Sequence, residues 1–146
     1  MNVTVGPIVP LPKEKRTVFT RNGNGDLGIV SPEAAQAASI HPGFIKLLHG
    51  VEGRNGGFGL AHIESKQRVE HFKKLGFDEI IDFVRFVAEE YDEFGVQDDG
   101  KVVFQRHRDQ LIHQVICLWD EDLKIWSVTT AIAKRAERNL KICWKR

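Results

Sequence analysis

The sequence has few of the features that would place a protein in a specialised class. It contains only two cysteines, Cys117 and Cys143, each flanked by large apolar residues, which predicts buried thiols rather than a disulfide framework. No apolar run is long enough to cross a bilayer, and no charged-then-apolar segment opens the chain. We therefore expect no membrane partner, and a location in the cytoplasm or delivery into the cytoplasm of a target cell.

Excess charge of either sign is also missing. The formal net charge is +1, with 42% hydrophobic and 28% charged residues, so the totals favour an ordinary globular protein over a strongly basic nucleic-acid binder. The chain has no Cys-His cluster with zinc spacing and no acidic cluster typical of magnesium sites. Residues 53–59 are rich in glycine but lack the Lys-Ser/Thr pair of a phosphate-binding loop. The sequence predicts no metal and no cofactor.

Prolines are concentrated near the start of the chain. Pro7, Pro10 and Pro12 precede the turn-forming segment Asn22-Gly23-Asn24-Gly25-Asp26. This composition predicts an irregular arm over residues 1–30, with one short strand near 17–20. The remaining residues, 31–146, are expected to form a single domain.

Helical signals occupy the first part of that domain. Ser31-Pro32-Glu33 is typical of a helix start and predicts a short helix, followed by a second short helix over 44–48. A longer helix is expected over 60–75, where Gly76 follows as a stop signal. An apolar stripe beginning near Asp78 predicts a core helix.

After Asp92 the apolar residues alternate with a period of two, which is typical of strands. Strands are expected over about 93–97, 102–104, 111–119 and 125–130, with a helical turn or two over 131–140. Helices followed by strands indicate the α+β class. The predicted fold is a set of N-terminal helices packed on a C-terminal four-stranded antiparallel meander.

His62 and Lys66 are the first candidates for chemistry. They lie four residues apart near the start of the predicted helix, which places them on one helical face. A neutral imidazole can accept a proton and an ammonium group can stabilise a phosphate. The glycines at 56, 57 and 59 allow close approach of a ligand, and a helix start offers free amide groups. The alternative is a solvent-facing pair of the kind found on any helix.

Other polar residues could contribute to the same site. Arg106 and His107 lie at a predicted strand end, either as a phosphate-binding spot or as a charged hairpin tip. Thr129 and Thr130 end the last strand; they are expected to point to opposite faces, so that only one of them faces a site. Lys134 belongs to a basic C-terminal region that is either an RNA-contacting edge or a solvated surface.

Residues 56–135 resemble the barnase–EndoU–colicin–RelE-like (BECR) nuclease superfamily, and are most similar to its phage and polymorphic-toxin branch. The segments that carry the resemblance are Gly59-Leu60-Ala61-His62-Ile63-Glu64-Ser65-Lys66, the core helix over 77–91, the predicted meander and Trp126-Ser127-Val128-Thr129-Thr130. Many relatives have a second histidine after the basic residue, where this chain has Gln67. Activity then depends on whether His71 or His107 substitutes for that histidine.

The resemblance implies metal-independent cleavage of RNA. His62 would take the proton of a ribose 2′-hydroxyl, Lys66 would stabilise the phosphate, and Thr129 or Thr130 would bind a phosphate oxygen. Arg106, His107 and Lys134 would bind substrate. The implied partners are an RNA substrate and a cognate immunity or antitoxin protein. The alternatives are an inactive RNA- or protein-binding module of the same fold, and a phage structural or immunity-type interaction protein.

Overall fold

Strands dominate the architecture. The structure, a computed structural model, describes residues 10–53 and 56–146. Within these residues, seven strands form one sheet: β1 (Gly28–Val30), β2 (Gly43–Lys46), β3 (Glu93–Val96), β4 (Val102–Arg108), β5 (Leu111–Asp120), β6 (Ile125–Lys134) and β7 (Ile142–Lys145). The same residues contain four short α-helices: α1 (Pro32–Ala38), α2 (Gly59–Ser65), α3 (Val69–Lys74) and α4 (Ile80–Glu89).

The sheet is mixed, with the strand order β1-β2-β6-β5-β4-β3-β7. Strands β3 to β6 are consecutive antiparallel neighbours, but β2 lies parallel to β6, with Ile45 opposite Trp126. The prediction of N-terminal helices on a four-stranded antiparallel meander is therefore wrong. The N-terminal part of the chain supplies two strands to one side of the sheet, and the C-terminal tail supplies another to the opposite edge.

Two predicted helical segments form no helix in the structure. The second short helix, expected over 44–48, is replaced by β2, because this apolar segment has a partner in the distant β6. The helical turns expected over 131–140 are also wrong, since β6 continues to Lys134 and residues 135–140 are irregular. Trp144 of β7 lies opposite Phe94 of β3, and their rings stack at 5.6 Å between centroids.

The helix expected over 60–75 is divided into α2 and α3. Gln67 adopts a left-handed backbone conformation with φ of 55°, which ends the first helix and redirects the chain. The turn brings Phe72 of α3 into the core, where its ring stacks on Phe83 of α4 at 4.0 Å between centroids. The same turn directs Arg68 towards β6.

Helix α4 carries the largest apolar surface of the four helices described. Its N-terminus has a capping box in which the Glu79 amide donates to Asp82 Oδ2 at 3.0 Å. The buried positions of the helix are Ile80, Ile81, Phe83, Val84, Val87 and Ala88. Helix α1 begins as predicted, because the Ser31 hydroxyl accepts a hydrogen bond from the Ala34 amide at 3.1 Å.

The N-terminal arm was expected over residues 1–30, and residues 1–9, including Pro7, lie outside the described residues. Residues 13–15 form a 3₁₀ turn, and the predicted strand near 17–20 amounts to one bridge between Thr17 and Leu48. The Val18 amide donates to the Leu47 carbonyl at 2.7 Å, which holds this segment against the domain. Among the residues that the structure describes, no helix is long and apolar enough to span a bilayer.

Candidate functional site

A cavity of about 510 Å³ brings together several of the residues that the sequence singles out. Its walls come from the glycine-rich approach to α2, the β3–β4 hairpin, the end of β5 and the middle of β6. His62, Thr129 and Thr130 all line it, together with Lys15 and Lys101. Ser127 and three carboxylates, those of Asp120, Glu121 and Asp122, also line it, so the cavity combines an imidazole, three hydroxyls, two ammonium groups and three carboxylates.

Close backbone contacts fix the start of α2. A Cβ atom at Gly59, where φ is 75°, would lie 2.5 Å from the Leu48 carbonyl oxygen, so this approach requires glycine. The amides of Leu60 and Ala61 donate to the carbonyls of Leu48 and His49, both at 2.9 Å. The expectation that free amides at this helix start would bind a phosphate is therefore wrong for these two groups.

His62 lies on α2 with its ring against the preceding glycine-rich segment. A Cβ atom at Gly57 would be only 2.7 Å from His62 Nδ1, so the absence of a side chain at Gly57 lets the imidazole pack closely. Nδ1 is buried and has no hydrogen-bond partner among the described residues. The imidazole nevertheless lines the cavity, so part of the ring faces the space that a ligand would fill.

The surroundings of His62 favour its neutral form. Burial lowers the pKa of His62 below 6.5, and the positive charges of Lys66, Arg68 and Lys101 lower the pKa further, in that order. The imidazole is therefore predominantly unprotonated at neutral pH. This is the form that a general base requires.

Lys66 occupies a different position from the one that helical spacing predicts. Helix α2 ends at Ser65, and Lys66 is the residue that caps its C-terminus. The Lys66 side chain is exposed and does not line the cavity, although its charge still acts on His62. The predicted His62–Lys66 pair is thus close enough to interact, but only His62 faces the cavity.

Thr129 and Thr130 both line the cavity because the strand is irregular between them. The register of β5 and β6 shifts at this point: Ile116 lies opposite Thr130, whereas Cys117 lies opposite Val128. Strict alternation, which would place the two hydroxyls on opposite faces, is therefore broken by the extra residue. The Thr129 hydroxyl donates to the Ile116 carbonyl at 2.9 Å.

Arg68 is a site residue that the sequence did not reveal. Its Nη1 atom donates to the Thr130 hydroxyl at 2.7 Å and to the Ala131 carbonyl at 2.8 Å. These charge-assisted bonds hold β6 just beyond the register shift and fix the orientation of the Thr130 hydroxyl. In the sequence, Arg68 is marked only by its position two residues after Lys66. That position does not predict a partner 62 residues away.

The two lysines of the cavity differ in their partners. Lys15 Nζ lies 2.7 Å from Asp120 Oδ2, whose side chain is only 7% exposed, and 5.3 Å from the centroid of the Phe58 ring. This ion pair helps to lower the pKa of Asp120, although burial of the carboxyl opposes that shift. Lys101, in the β3–β4 hairpin, lies 3.4 Å from the exposed carboxylate of Asp99.

The predicted substrate-binding residues Arg106 and His107 lie elsewhere. Arg106 Nη1 donates to the Phe86 carbonyl at 2.8 Å, and Nη2 donates to Glu90 at 3.2 Å. His107 Nε2 lies 2.9 Å from Glu93 Oε1. Neither residue lines the cavity, because both side chains pair with residues of α4 or of the strand next to β4.

Lys134 is also outside the cavity. Its ammonium group lies 2.5 Å from Glu137, and the same carboxylate accepts a hydrogen bond from the buried Gln114 amide at 3.0 Å. His71, considered as a substitute for a second histidine, is exposed on α3 and does not line the cavity. The structure thus brings Thr129, Thr130, Lys15 and Lys101 into one cavity with His62 but does not form the predicted basic edge.

Within residues 10–53 and 56–146, no group of three or more His, Cys, Asp or Glu side chains is arranged to hold a metal ion. Cys117 and Cys143 are free thiols; Cys117 is buried as expected, whereas Cys143 is only partly buried. No protein-family model, curated protein or solved structure matches the chain. The case for a function therefore rests on the cavity itself.

Proposed function

We propose that this protein is a metal-independent endoribonuclease of the toxin or phage-associated kind. The observation that carries the proposal is the single cavity that His62, Thr129, Thr130 and Lys101 line together. The sequence resemblance to the BECR nucleases provides the second argument. It concerns the same histidine and the same threonines, although no comparison with known proteins supports it.

The proposed reaction is an internal transesterification. His62 takes the proton from a ribose 2′-hydroxyl, and the resulting oxygen attacks the adjacent phosphorus as the bond to the 5′ oxygen breaks. The 5′ oxygen leaves with a proton from solvent, and His62 later returns its own proton to solvent. The products are a 2′,3′-cyclic phosphate and a 5′-hydroxyl, with no net consumption of water.

The cavity supplies a neutral base and positive charge for this chemistry, although the carboxylates of Asp120, Glu121 and Asp122 also line it. A neutral imidazole is available at neutral pH because burial and nearby cations lower the pKa of His62. Cationic groups near the phosphate stabilise the negative charge that grows on its non-bridging oxygens. The Thr130 hydroxyl, which accepts from Arg68, is oriented to donate its own proton to a phosphate oxygen.

The test compares RNA cleavage by the wild-type protein, by His62→Ala and by His71→Ala. We expect His62→Ala to lower the rate by about a hundred- to ten-thousand-fold, the usual contribution of general acid–base catalysis. His71→Ala is the matched control, since His71 is exposed and lies outside the cavity. Added chelator should leave wild-type cleavage unchanged. Full activity in His62→Ala, or strict dependence on a metal, would refute the proposal.

A catalytically inactive RNA-binding module is the second candidate. The observation in its favour is the left-handed Gln67 at the position where many BECR nucleases carry another histidine. Among the described residues, His62 is the one histidine that lines the cavity. This candidate predicts that RNA binds and that no cleavage products form even at high protein concentration.

A cognate immunity or antitoxin protein forms part of the proposal, as does action in the cytoplasm of the producing or a target cell. Such a partner would neutralise the protein by covering the cavity. The expected outcome is that wild-type expression arrests growth and degrades RNA, and that His62→Ala expression does neither. Growth arrest that persists in His62→Ala would contradict this part of the proposal.

A further inference from the structure

The β3–β4 hairpin places a lysine in the cavity that the sequence pattern did not associate with His62. Lys101 follows the turn Asp98-Asp99-Gly100, and its side chain lines the same cavity as His62 and Thr130. We propose that Lys101, and not Lys66, binds the phosphate of the substrate. The inference rests on the proposed function, because it assigns the phosphate contact of that reaction.

The partners of the neighbouring cations support this assignment. Lys15 is held by the nearly buried carboxylate of Asp120 at 2.7 Å, so its charge is already neutralised. The Nη1 atom of Arg68 is used by Thr130 and Ala131. A phosphate would have to compete with Asp120 for Lys15, and Arg68 does not line the cavity.

Lys101 is less constrained. Its partner within the described residues is Asp99, at 3.4 Å, and the Asp99 side chain is 54% exposed. An exposed ion pair of this kind contributes little to stability, so an incoming phosphate displaces the carboxylate at little cost. Lys66 has no contact with the cavity, since it caps α2 and points to solvent.

The hairpin itself does not depend on the ammonium group. The turn is closed by bonds that do not involve the Lys101 side chain: the Gln97 amide donates to the Lys101 carbonyl at 2.8 Å, and the Lys101 amide donates to the Asp99 side chain, at Oδ1, at 3.1 Å. Replacing the Lys101 side chain leaves both bonds in place. Lys101→Met should therefore fold and unfold like the wild type.

The experiment compares wild type, Lys101→Met, Lys101→Arg and Lys66→Met. Cleavage of a short RNA is measured together with the affinity for the same oligonucleotide carrying 2′-deoxy sugars, which binds but lacks the attacking hydroxyl. We expect Lys101→Met to lower kcat/KM by about a hundred- to a thousand-fold, as the loss of one charge-stabilising group typically does. Lys101→Arg should recover part of this loss, and Lys66→Met should stay within a few fold of wild type.

Titration of His62 by NMR, together with the binding measurement, separates two roles of a lysine. One is direct contact with the phosphate, and the other is an electrostatic effect on the pKa of His62. Both lysine-to-methionine changes should raise the pKa of His62, because both charges act on it. Only Lys101→Met should also weaken binding of the 2′-deoxy oligonucleotide, by tenfold or more as a rough expectation. Equal affinity in Lys101→Met and wild type would overturn the assignment.

The two proposals fail in different ways. If the wild type does not cleave RNA, the endoribonuclease proposal fails. In that case, weaker oligonucleotide binding by Lys101→Met but not by Lys66→Met would still support Lys101 as the phosphate contact. If the wild type cleaves RNA and Lys101→Met cleaves it equally well, the assignment of Lys101 is wrong while the endoribonuclease proposal stands.

Discussion

The buried imidazole of His113 should make the stability of this protein depend on pH below neutrality. The side chain is fully buried, and its ring lies 5.4 Å from the Phe83 centroid and 5.5 Å from the Phe86 centroid. Neither ring nitrogen has a hydrogen-bond partner among the described residues. Burial lowers the pKa of His113 below 6.5 and the charge of Arg108 lowers it further, against smaller opposing effects of the nearby Leu111 backbone and of Asp109.

The sign and size of the effect follow from proton linkage. A histidine in the unfolded chain binds a proton near pH 6.5, whereas folded His113 resists protonation until a lower pH. Between that lower pH and about pH 6.5 the unfolded state therefore holds more protons, and the free energy of unfolding decreases by at most about 1.4 kcal/mol for each unit by which the pH is lowered. Between about pH 7.5 and about pH 5 the loss reaches at most about 2 kcal/mol, or about 4–8 °C in Tm.

The assay is chemical denaturation of wild type and His113→Leu at a series of pH values. Leucine is close to histidine in volume and does not titrate, so the pH dependence of the difference in unfolding free energy isolates His113. We expect the stability of the wild type relative to the variant to fall as the pH is lowered through 6.5. Parallel stability curves for the two proteins would refute the reasoning.

Three further changes test other parts of the structure. Arg68→Met removes the bonds to Thr130 and Ala131 and should lower the free energy of unfolding by about 2–3 kcal/mol in denaturant titrations; an unchanged midpoint would contradict this. A Cβ atom at residue 57 would lie 2.7 Å from the Gly53 carbonyl oxygen as well as from His62 Nδ1, so Gly57→Ala should shift both, lower Tm and cost on the order of a hundredfold in RNA cleavage; normal cleavage would show that the contact with His62 is unimportant. The pKa of Glu137 is lowered to about 2, mainly by its bond with Lys134. Its contribution to the free energy of unfolding should therefore be present above pH 4.5 and lost as the pH falls through about 2. Glu137→Gln should remove that dependence, and identical acid denaturation of the two proteins would argue against it.

Local signals in the sequence predicted much of the secondary structure. The serine and proline before α1, the apolar stripe of α4 and the period-two alternation of the later strands all reflect interactions between near neighbours. The segment containing β2 could not be assigned in this way. A short apolar run is compatible with either a helix or a strand, and its strand form depends on Trp126, which lies 81 positions beyond Ile45.

The site was only partly predictable for the same reason. His62 and the two threonines carry residue types and positions that suggest chemistry on their own. The shared orientation of Thr129 and Thr130 depends on an extra residue in β6, and a shift of register leaves no mark in the alternation pattern. The contact of Arg68 with β6 and the position of Lys101 arise from packing of distant segments, which spacing along the chain does not reveal.

The chemistry of the cleavage products tests the central claim most directly. The wild type and His62→Gln are each incubated with an RNA oligonucleotide and with the same oligonucleotide carrying one 2′-deoxy sugar at the cleaved position. We expect the wild type to produce 2′,3′-cyclic phosphate ends from the RNA oligonucleotide and none at the 2′-deoxy position of the modified one. His62→Gln should produce almost none from either oligonucleotide. Cleavage at the 2′-deoxy position, or equal yields of cyclic phosphate from the two proteins, would contradict the role of His62.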